Sequence, residues 1–68
     1  MIRVKINEML EKQGKTKYWL HKTANIQQTN LGKLVNGKTT SVTFENLDKI
    51  CKALNCDVGD ILEYVKED

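Results

Sequence analysis

The chain has 68 residues, 40% hydrophobic and 29% charged, with four glycines, no proline and a net charge of +2. A chain this short makes one small domain and buries only about 60% of its unfolded surface, which argues against an elaborate catalytic cleft and for support from a second subunit. No stretch approaches the ~20 apolar residues of a membrane span, and no apolar run follows the N-terminal charges as in a signal peptide, so a cytoplasmic protein without a membrane partner is expected.

In chain order, Ile2, Val4 and Ile6 alternate with Arg3 and Lys5, a period-2 pattern that leaves a short N-terminal strand open. Ile6, Met9 and Leu10 then fall at i, i+3, i+4 and predict a helix over roughly 5–13, with Gly14 where a C-cap belongs. Thr16 is a good N-cap for a second helix in which Leu20 and Ala24 share a face. Asn25 tolerates the left-handed conformation of a tight turn. Leu31 and Leu34 supply the inward face of a third helix over roughly 27–36, stopped by Asn36-Gly37, and residues 38–42 read as a loop. Thr43 caps a fourth helix, with Val42 and Leu47 placed as a hydrophobic staple. Phe44, Leu47, Ile50, Cys51 and Leu54 make its apolar stripe. Asp57 caps a last helix with Asp60 at its third position and Ile61 and Leu62 pointing inward. Five short helices joined by brief turns make an all-α fold.

The charge is unevenly spread. Residues 1–40 hold eight basic residues against Glu8 and Glu11, whereas residues 41–68 hold three against seven acids. From Lys12 to Phe44 there is no carboxylate. A stretch rich in Lys, Asn, Gln and Thr but free of acids suits a surface that meets phosphates, although an ordinary solvated face has the same composition. One histidine, no Cys-x-x-Cys, no nucleophile beside a base and no glycine-rich phosphate loop leave catalysis without parts, and no cofactor or metal is expected. Cys51 and Cys56, five apart, are expected on different faces, favouring neither a bridge nor a metal pair.

Residues 17–36 look like a DNA-binding helix-turn-helix, with Leu20, Ala24, Ile26, Leu31 and Leu34 inward and Asn25 at the turn. Extended by Asn36-Gly37, Phe44–Asn55 and the ending Val58-Gly-Asp-Ile-Leu-Glu, the chain over about residues 4–64 resembles the Cro/cI-type (XRE) helix-turn-helix family. The resemblance implies a single compact five-helix domain over residues 1–68, like those of phage repressors. It also implies a dimeric, sequence-specific regulator of transcription, most simply a repressor on a pseudo-palindromic double-stranded operator. Two residues depart from the family pattern. His21 replaces a small residue and either packs inward or turns outward as a phosphate or pH-sensitive contact, and Gln27 replaces a capping serine or threonine.

On the third helix Gln28, Thr29, Asn30 and Lys33 are the candidate base readers: Gln and Asn pair with adenine, Lys reaches guanine, and a Thr methyl meets thymine. Phosphate contacts are expected from Thr16, Lys17 and Tyr18, from Gln27, and from Asn36, Lys38, Thr39 and Thr40. Trp19 beside Tyr18 suits partial packing better than single-strand stacking, because neighbouring helix residues diverge. Tyr64 and Val65 lie beyond the need of the last helix and are candidates for a dimer contact, with pairing to the Ile2–Ile6 segment one way to make it. The competing reading is a protein-interaction module, antitoxin-like or a phage inhibitor, that keeps the fold without DNA binding. A surface freed for protein partners has no reason to exclude acids over 33 residues.

Overall fold

Local chemistry sets most of the helix ends in the computed structural model, which describes residues 1–67. The order is β1 (Ile2–Val4), α1 (Ile6–Gln13), α2 (Lys17–Ala24), α3 (Gln28–Val35), α4 (Phe44–Leu54), α5 (Val58–Ile61) and β2 (Leu62–Tyr64). Helix α1 ends at Gly14 in the left-handed region, φ 67°, a conformation that costs glycine nothing. Thr16 Oγ1 accepts from the Trp19 N–H at 3.0 Å and starts α2. Thr43 Oγ1 accepts from the Asn46 N–H at 3.1 Å and starts α4. The Asp57 N–H donates to Asp60 Oδ2 at 3.0 Å, the reciprocal half of a capping box at α5.

The core draws on every helix: Ile6 and Leu10, Leu20 and Ala24, Ile26, Leu31, Leu34 and Val35, Ile50 and Leu54, and Ile61. Val4, Trp19, Val42, Leu47 and Leu62 are half-buried against it. No helix among the described residues is long and apolar enough to cross a membrane.

Three expectations are corrected. The all-α reading stands for the body of the domain, but Leu62 begins a strand rather than continuing the last helix. β2 pairs antiparallel with β1 in the register Ile2↔Tyr64, Arg3↔Glu63, Val4↔Leu62. The N-terminal segment therefore pairs with the C-terminal segment within the chain. The single turn of α5 returns the chain beside β1, where the Lys5 N–H donates to the Ile61 carbonyl at 2.7 Å. Arg3 bridges Glu63 across the strands and Glu8 of α1. Second, Phe44 is 89% exposed, so the buried apolar stripe of α4 begins at Leu47. Third, Cys51 and Cys56 do not point apart. Asn55 is left-handed, φ 52°, so the chain doubles back: the Cys56 N–H donates to the Cys51 carbonyl at 3.0 Å, and both side chains pack against the core.

Candidate nucleic-acid interface

The α2–α3 unit is held together by its inner residues. Leu20, Ala24, Ile26, Leu31 and Leu34 are all buried. Asn25 makes the turn with φ 55°, and its neighbour Ile26 is tied to His21 twice. The Ile26 N–H donates to the His21 carbonyl at 3.2 Å, and His21 Nδ1 lies 2.7 Å from the Ile26 carbonyl. A carbonyl only accepts, so Nδ1 carries the proton and donates. The half-buried ring turns inward, with Tyr18 edge-on at 5.7 Å, and so follows the packing alternative rather than the outward one.

With that frame set, Gln28, Thr29, Asn30 and Lys33 all stand exposed on α3. Gln27 lacks a side-chain cap, but its Oε1 accepts from Asn30 Nδ2 at 3.2 Å, which ties the start of the helix. Asn30 and Lys33 line a cleft of about 210 Å³ with Thr39, Ser41, Thr43 and Asn46, floored by Ile26, Leu31, Leu34 and Val42. The fold thus brings two candidate base readers beside one candidate phosphate contact. Asn36, Thr39 and Thr40 also border the gap between β1 and the loop after α3. Thr16, Lys17 and Tyr18 lie apart from this cleft at the start of α2, where the Thr16 hydroxyl is engaged as the cap. Ser41 and Asn46 escape a reading of the sequence; only the loop after α3 and the packing of α4 against α2 bring them to the cleft, and neither residue type signals that.

Side chains around α2 show where positive charge is free. Lys15 Nζ sits 4.7 Å from the Trp19 ring centre and Lys22 Nζ 5.5 Å from that of Tyr18. The ion pairs Arg3–Glu8, Arg3–Glu63 and Glu45–Lys49 all lie outside residues 12–44. Among the described residues, none of Lys12, Lys15, Lys17, Lys22, Lys33 and Lys38 is paired with a carboxylate. These cations are left to water and to whatever anion approaches.

The family model of the Cro/C1-type HTH DNA-binding domain matches residues 5–67. The chain belongs to the Cro/C1-type helix-turn-helix family. A similar protein is the uncharacterized HTH-type transcriptional regulator YozG of Bacillus subtilis (strain 168), 41% identical over 63 residues that cover 93% of this chain and 75% of that protein. No solved structure matches. Within this Cro/C1-type domain the two departures, His21 and Gln27, are each absorbed by a local hydrogen bond, to Ile26 and from Asn30.

Proposed function

We propose that this domain is a sequence-specific, double-stranded-DNA-binding transcriptional regulator, a small dimeric repressor that reads the major groove with α3. The observation that carries the reading is the exposed α3 face of Gln28, Thr29, Asn30 and Lys33, set in a surface without carboxylates from Lys12 to Phe44. Backbone contacts from Thr16, Lys17, Tyr18, Gln27, Asn36, Lys38, Thr39 and Thr40 hold the domain on the duplex, and the base readers choose the sequence. Bound at a promoter, the protein blocks polymerase by occupancy. The dimer uses the exposed end of the ribbon, with Tyr64 71% and Val65 37% exposed and Ile2 beside Tyr64. Two recognition helices about 34–36 Å apart then match a pseudo-palindrome.

Selection of random duplex DNA by the wild-type chain and by a Gln28→Ala, Lys33→Ala variant tests this. The wild type should enrich a pseudo-palindrome, and the variant should lose about 1–3 kcal/mol of discrimination per removed base contact. Weak, unselective binding by the wild type would favour the protein-interaction reading instead.

A further inference from the structure

Cys51 and Cys56 take no part in the proposed DNA contact, yet the end of α4 holds them together as free, half-buried thiols. The Cys56 N–H donates to the Cys51 carbonyl at 3.0 Å across the left-handed Asn55. This is the six-to-one bond of a Schellman turn, a motif that brings the flanking side chains into contact. The covalent bonds on either side of that hydrogen bond cap the Cα–Cα separation at roughly 6.9 Å, and any bend shortens it. A disulfide needs roughly 4.4–6.8 Å. Both side chains are half-buried against the same apolar core, so they face the same side of the turn.

We propose that Cys51 and Cys56 are a reversible dithiol–disulfide site that closes within the native fold and staples the end of α4 to the turn feeding α5. The oxidant is a low-molecular-weight disulfide. The Cys51 thiolate attacks one of its sulfurs, forming a mixed disulfide and releasing one thiolate. The Cys56 thiolate then attacks the Cys51 sulfur, breaking the mixed disulfide and releasing the second thiolate. The two protons lost by the protein end on the two released thiols, and the oxidant takes up two electrons. Burial raises both thiols above their ordinary range, with Asp57 and Asp60 adding to it, and Cys56 is pushed up to about 11. Thiolate is therefore scarce at neutral pH and closure is slow.

The test incubates the full native chain with bis(2-hydroxyethyl) disulfide and follows intact mass, far-UV circular dichroism and thermal unfolding. The expected product is monomeric on a non-reducing gel and lighter by two hydrogen atoms. It keeps its helical spectrum, melts a few degrees higher because a short loop is closed, and reverts with dithiothreitol. The Cys56→Ala variant should stop at a mixed disulfide on Cys51. Unreacted thiols, stable mixed disulfides on both cysteines, disulfide-linked dimers, or closure only in denaturant would each overturn the proposal.

Discussion

His21 closes the α2–α3 turn from two sides, through its carbonyl and through its ring, and both bonds end on Ile26. The pairing explains how a bulky residue is tolerated where the family pattern has a small one. Loss of the ring should remove about 1 kcal/mol of net hydrogen-bond stability, which in a domain this small corresponds to a fall in Tm of about 4–8 °C. His21→Ala should show that fall in a thermal melt. His21→Asn should recover part of it, because a side-chain amide N–H can still reach the Ile26 carbonyl. If His21 served phosphate instead, His21→Ala would weaken DNA binding and leave the melt unchanged. Gln27 is a milder case: the cap it cannot supply is replaced by a bond from Asn30, and that bond also restrains one of the proposed base readers.

At the scale of elements, α4 separates what a pattern can say from what packing decides. Its stripe reads as apolar from Phe44 onward, but burial begins at Leu47, which is half-buried, and becomes complete at Ile50 and Leu54. Phe44→Ala should therefore shift stability by no more than about 0.5 kcal/mol, whereas a buried phenylalanine would cost about 3–5 kcal/mol. Urea denaturation distinguishes the two. The caps at Thr16, Thr43 and Asp57 and the stop at Gly14 are legible in the sequence because each is chemistry between residues three or four apart. β2 is not, since Leu62–Tyr64 is a strand only by virtue of Ile2–Val4, sixty residues away in the chain. The cysteine pair misleads because a helical period carried past Asn55 fails where the left-handed turn ends it. The α3 face is legible as residue types, and its cleft with Ser41 and Asn46 is not, because that depends on the loop after α3 and on how α4 packs against α2.

For the whole molecule, a net charge of +2 would lead one to expect weak attraction to DNA. What matters is that the positive charges lie on one stretch and the acids elsewhere, with the lysines of residues 12–38 free of carboxylate partners among the described residues. A polyanion feels the local face at distances within the Debye length, about 8 Å at physiological salt, and not the sum over the domain. Each phosphate neutralised steepens the dependence of log K on log salt by about 0.9. With Lys17 and Lys38 as clamps on both protomers of a dimer, the slope should be about −3.6 or steeper. Lys38→Gln should make it shallower by about 1.8, because each protomer then neutralises one phosphate fewer, and weaken binding similarly on all sequences. Lys66→Gln removes the same charge from the acidic half, where the residue is exposed, and should change neither affinity nor slope. Fluorescence anisotropy at four or more salt concentrations reads both variants against the wild type. Equal effects of Lys66→Gln and Lys38→Gln would mean that overall charge governs binding, and the proposed DNA-facing surface would have to be abandoned.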